Sequence, residues 1–103
     1  ASRNHYAALY ARPGAMHSGF AQFAAFDQDA IDNRAWLAQG QKLHMPILAI
    51  GGEKSFGTMM ATIMQPAASD IQGAVVKNSG HWLMEEQPDA TVDVIEKFID
   101  GQK

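Results

Sequence analysis

The chain has 103 residues, eight Lys and Arg against eleven Asp and Glu, four His and no Cys, which is one small domain or a piece of a larger one. A net charge of -3 without a basic cluster excludes a nucleic-acid or anionic-membrane surface as the main partner, and the absence of Cys excludes disulfides, thiolate metal sites and cysteine nucleophiles. No apolar run approaches the roughly 20 residues of a membrane span, and no basic stretch followed by an apolar core marks a signal peptide, so the cytoplasm is the expected compartment.

The composition is uneven along the chain. Eleven of the 17 alanines lie in the first 38 residues, whereas only one of the eleven Ile and Val, Ile31, precedes position 47. Helix formers therefore dominate the first part and strand formers the second. A short helix is predicted around Ala7–Leu9, ended by the Arg12-Pro13-Gly14 turn. From Met16 to Gln39, Phe20, Phe23 and Ala24, and then Ile31, Ala35 and Ala38, follow three- and four-residue spacing. The polar run Asp27-Gln28-Asp29 is expected to split this stretch into two helices, with Asp27 or Asp29 as N-cap. Gly40 is the expected stop.

Beyond Gly40 the period changes. Pro46-Ile47-Leu48-Ala49-Ile50 is a continuous apolar run closed by Gly51-Gly52, as in a parallel strand buried on both faces. A helix is predicted from Phe56 to about Gln65, and a second strand from Ile71 to Lys77, followed by the turn Asn78-Ser79-Gly80. The last helix starts near Pro88, a residue suited to the first helical position, and ends at Gly101. Val92, Ile95, Phe98 and Ile99 form its apolar face. Glu85, Glu86 and Asp89 sit at its positive end and Lys97 near its negative end. Strand, helix, strand, helix is a right-handed βαβ unit with a further helix, so the class is α/β with a parallel sheet. Two strands leave faces and edges uncovered, and the sheet is expected to continue into strands this sequence does not contain. The absent initiator Met agrees with that. A missing N-terminal half, or a second copy of the chain in a homo-oligomer, is the expected partner.

His81 is the first candidate for chemistry. It follows the second strand on the loop Asn78–Trp82, and open parallel sheets place functional groups at the carboxyl ends of their strands. Gly80 permits a sharp turn there, and Trp82 is expected to pack beneath the loop. A histidine so placed takes and returns protons near neutral pH; the plainer alternative is a capping histidine. Glu53 occupies the equivalent loop after the first strand, Gly51–Ser55. Within reach of His81 it would orient the imidazole as the third member of a triad; otherwise it is a solvated acid paired with Lys54 or capping the next helix. None of Ser2, Ser18, Ser55, Ser69 and Ser79 lies in a Gly-x-Ser-x-Gly elbow, so the chain offers a base without a nucleophile. His5, His17 and His44 have no metal-site spacing, and Gly51-Gly52 lacks the rest of a phosphate loop, so neither a metal nor another cofactor is expected. Met59, Met60 and Met64 read as helix-to-sheet packing. Phe20, Phe23 and Trp82 are candidates to line an apolar substrate pocket, with core packing as the alternative for the two phenylalanines.

Two stretches carry a resemblance. Pro46–Gly52 and Ser79-Gly80-His81-Trp82-Leu83-Met84-Glu85-Glu86-Gln87-Pro88 are similar to the C-terminal portion of α/β-hydrolases, in the branch of epoxide hydrolases and haloalkane or haloalkanoate dehalogenases. Its most specific part is the G-H-W-x-x-x-E-x-P pattern. The segment Tyr10–Met16 and the Phe20–Phe26 helix resemble the end of that branch's helical cap. The resemblance implies that residues 1–40 end the cap and residues 41–103 supply the last two strands and flanking helices of the core. It implies that His81 is the catalytic histidine, activating water against an alkyl-enzyme ester formed on an Asp of an earlier elbow. The substrate implied is a small apolar epoxide, haloalkanoate or ester, and the fragment alone is inactive. Two departures stand out. The loop after the first strand carries Glu53 where Asp is commoner, so the orienting acid is either Glu53 or a residue elsewhere. Phe23 stands where the branch often has a cap tyrosine, and it donates no hydrogen bond; Tyr6, Tyr10 or a residue beyond this chain would have to supply that donor. The alternative of a different class is a non-catalytic α/β module that self-associates through its sheet edge and apolar cap face.

Overall fold

Helix formers fill the first 39 positions, and the computed structural model, which describes residues 2–103, folds them as α1 (Ser2–Tyr10), α2 (Ala15–Ala24) and α3 (Phe26–Ala38). Gly14, with φ 79°, turns the chain between α1 and α2. The break between α2 and α3 falls at Ala25 and not at Asp27–Asp29. Ala25 keeps helical φ and ψ, and its N–H reaches the carbonyls of Ala21 and Gln22, so the chain changes course without leaving helical conformation. Asp27 and Asp29 lie inside the first turn of α3 and form no side-chain cap; there they favour the positive end of the helix by charge alone. No described residue of these three helices is buried. The chain divides into two compact units between Gln39 and Gly40.

In the second unit the apolar runs become β1 (Ile47–Gly52) and β2 (Ile71–Val76), paired in parallel with Ile47 opposite Ile71 and Gly52 opposite Val76. An isolated parallel bridge, Leu43 to Ala68, extends the pairing toward the start of the sheet. The connection runs through α4 (Met59–Met64), and β2 is followed by α5 (Leu83–Glu86) and α6 (Pro88–Asp100). The largest differences from the expected boundaries are the end of β1 and the start of α4. β1 runs on through Gly51 and Gly52, because backbone packs where side chains would stand. A Cβ on Gly51 would strike the backbone of Gly57, and one on Gly52 the carbonyls of Ser79 and Gly80. Helix α4 begins at Met59 and not at Phe56, because the N–H groups of Ser55 and Gly57 both donate to Gly52 O and hold residues 53–58 in a turn.

Helix α4 lies against both strands and α6 against β2. Gly73 faces Ala61 of α4, whose Cβ stands 2.9 Å from where a Gly73 Cβ would be. Gln72, Gly73 and Ala74 line a groove with Val94 and Phe98 of α6. Among the described residues, the buried apolar side chains are Ala49, Ala68 and Val76. Ile47, Leu48 and Ile50 are only half-buried, and Gln72, Gly73 and Val75 are exposed. The expected burial on both faces is therefore incomplete, and among the described residues neither strand has a second neighbour in the sheet. On α6 the covered face is Thr91, Val94, Ile95 and Phe98, with Val92 and Ile99 exposed. Among the described residues no helix is long and apolar enough to cross a membrane.

Candidate active site around His81

Parallel strands end together, and here the ends of β1 and β2 carry two loops that are stitched to each other. Glu53 N–H donates to Val76 O at 3.0 Å and Lys54 N–H to Ser79 O at 2.9 Å. In the other direction Asn78 N–H donates to Glu53 Oε2 at 2.8 Å. Asn78 has φ 57°, a left-handed conformation that Asn tolerates better than most residues. Ser79 is completely buried, and its hydroxyl faces Gly80 O at 3.4 Å, which leaves it no part as an exposed nucleophile. Gly52 packs directly on Gly80, backbone to backbone.

This stitching puts His81 at the rim of a cleft of about 430 Å³, within the usual size of small-molecule pockets. Ile50, Phe56, Met60, Ile63 and Leu83 supply apolar wall, and Gly51, Gly52 and Ser55 complete the lining. The His81 side chain is exposed and free to meet a solute. Trp82 does not pack beneath the loop: it is 68% exposed and meets the imidazole edge-on, the ring centroids 5.0 Å apart at 89°. The indole lies outside because the space under the loop is taken by Gly52 and by the Glu86 carboxylate. Phe20 and Phe23 are 65% and 68% exposed on α2, and the Phe23 ring meets Phe26 at 5.2 Å; both belong to the first compact unit.

Two carboxylates frame the loop. Glu53 is taken up by Asn78 N–H, and no hydrogen bond joins it to the imidazole among the described residues. Glu86 accepts Gly80 N–H at 2.8 Å on Oε2 and Trp82 N–H at 3.1 Å on Oε1. Its carboxyl is held below the ordinary 4.5, first by the Gly80 N–H, then by the Trp82 N–H, with the charges of Lys54 and His81 adding to them. The sequence reading assigned Glu86 to the start of α6 as a helix-dipole acid. Its place in the G-H-W-x-x-x-E-x-P pattern was the available signal for a role on the loop. No group of three or more His, Asp or Glu among the described residues is arranged to hold a metal ion.

No protein-family model matches the chain. It is 30% identical over 94 residues to a soluble epoxide hydrolase of Corynebacterium sp. (strain C12), a match covering 91% of this chain and 32% of that protein. The crystal structure of wild-type Cfl2 from Burkholderia cenocepacia superposes with a TM-score of 0.83 at 29% identity, over 92% of this chain and 32% of that one. The chain thus spans about a third of the length of each relative. Over that third, in sequence and in backbone, it is similar to the C-terminal portion of epoxide hydrolase-like α/β-hydrolases.

Proposed function

We propose that this chain is the histidine-bearing part of a hydrolase acting on a small apolar molecule, and that His81 is its general base. The observation that carries the reading is the imidazole's position: on the loop after β2, exposed, beside an apolar cleft. In the epoxide case, a carboxylate supplied by another stretch of polypeptide attacks a ring carbon, the ring C–O bond breaks, and an alkyl ester forms. His81 takes a proton from water as the water oxygen adds to the ester carbonyl. The ester C–O bond then breaks, and the departing alkoxide takes the proton from the imidazolium. The carboxylic acid left behind returns its proton to the donor that protonated the opened ring oxygen, so that a diol and a free carboxylate result. A haloalkanoate would follow the same course with halide as the first leaving group, and an ester substrate would need only the hydrolytic half. Phe20, Phe23 and Trp82 would supply apolar contact to the substrate. Because Phe23 has no hydroxyl, the donor for the opening ring oxygen would come from Tyr6, Tyr10 or a residue outside this chain. The acid orienting His81 is Glu53 or a residue outside the chain, and the bond from Asn78 to Glu53 supports the second.

The test is His81→Ala in the full-length hydrolase. General-base removal is expected to lower turnover by about 10²- to 10⁴-fold while one equivalent of alkyl-enzyme still accumulates. Full turnover by that variant overturns the assignment. Diol, halide or alcohol release from a panel of epoxides, haloalkanoates and esters then separates the substrate classes. A second reading, a non-catalytic module that self-associates, is supported by the exposed Phe20, Phe23 and Phe26 and by the unpaired edges of β1 and β2. A full-length protein that hydrolyses none of the panel favours it.

A further inference from the structure

Residues 77–82 form no helix or strand, and the side chains of His81 and Trp82 are exposed, their rings meeting edge-on, with no hydrogen bond from either side chain among the described residues. The position of His81 must therefore come from its backbone. On one side, Asn78 N–H and Ser79 O are held by Glu53 and Lys54. On the other, the two N–H groups that flank His81, those of Gly80 and Trp82, are both held by the single carboxylate of Glu86, at 2.8 Å and 3.1 Å. We propose that Glu86 is the positioning residue of the His81 loop, fixing the peptide on both sides of the imidazole and so the direction in which the ring meets the cleft. This rests on His81 being the base proposed above.

The chemistry at the clamp calls for a carboxylate. Both oxygens accept, and each is used. A carboxamide has one oxygen, and its NH₂ would face an N–H donor, so Gln cannot replace Glu. Asp is one methylene shorter and reaches at most one of the two donors. Contact is close as well as polar: a Cβ on Gly80 would lie 3.1 Å and 3.3 Å from the two Glu86 oxygens. Lys54, from the loop after β1, adds a favourable positive charge to the carboxylate's surroundings.

In the full-length hydrolase, Glu86→Gln is expected to slow the water-attack step by about 10²-fold, the usual scale for a misplacement of about 1 Å. Formation of the alkyl-enzyme and the substrate KM are expected to stay near wild type. Gly80→Ala, which crowds the same oxygens without removing them, is expected to slow the same step less. In the ¹⁵N-labelled wild-type protein the Gly80 and Trp82 amide resonances are expected to move together as acid protonates Glu86, a response absent from Glu86→Gln. A wild-type rate of ester hydrolysis in Glu86→Gln, or amides that do not titrate together, overturns the positioning role while leaving His81 as base. Full turnover by His81→Ala overturns both, even where the amides titrate together.

Discussion

Gly52 shows how much of this site depends on single atoms. A methyl at that position would sit inside the van der Waals radius of Gly80 O, on the loop that carries His81. Backbone meets backbone there, so no flexible side chain can yield. Gly52→Ala is expected to destabilise the protein by about 1–3 kcal/mol, read from denaturant midpoints. Gly19 is the contrasting case. It lies within α2 with nothing within 4 Å of its missing Cβ, so Gly19→Ala is expected to strengthen that helix by about 0.5–1 kcal/mol, seen as higher helicity on warming. Glu86 supplies a pH signature at the same scale. Its carboxyl is depressed in the folded protein, so its contribution to folding is complete above the ordinary 4.5 and is lost as pH falls through the lower folded value. Glu86→Gln is expected to flatten that part of the acid-unfolding profile, with midpoints measured from neutral pH downward.

Helix α6 is tied to α5 by one buried hydroxyl. Thr91 Oγ1 lies 2.7 Å from Gln87 O and 3.2 Å from Leu83 O, and the residue is 2% exposed. Thr91→Val keeps the shape and removes the donor, so about 1 kcal/mol of stability is expected to go with it, checked by the shift in denaturant midpoint at unchanged slope. The elements that the sequence makes legible share one property: their signals are local. Pro46–Ile50 and Ile71–Val76 are apolar runs closed by turn residues, and Pro88 and Gly101 bracket α6. What escapes has a non-local cause. The start of α4 is set by Gly52 O, which takes the N–H groups of Ser55 and Gly57. Helix α5 is a four-residue turn next to the Glu86 clamp, too short for any periodicity to register. His81 and Glu53 were both legible as loop residues at strand ends. The Glu86 clamp was not, because an acid just before a helix reads first as a dipole partner.

At the scale of the whole chain, the balance between buried and exposed apolar groups governs behaviour in solution. Among the described residues, the buried apolar side chains are two alanines and one valine. Against them stand Phe20, Phe23, Phe26, Phe56, Met59, Ile63, Trp82 and Ile99, each at least 49% exposed. The sheet has two strands and two unpaired edges, and sheets of that size are marginal in water, while open edges recruit further strands. Exposed apolar surface of this kind ordinarily marks a face that another polypeptide covers. The 103-residue chain by itself is therefore expected to bind the dye ANS, to unfold over a broad range of denaturant and to sediment as a concentration-dependent mixture. In a longer polypeptide that adds strands beside β1 or β2, those edges would be covered, and both dye binding and the concentration dependence are expected to disappear. A 103-residue monomer that unfolds sharply and leaves the dye dark would mean that two strands and three small buried side chains suffice. That result would remove the physical case for reading this chain as part of a larger sheet.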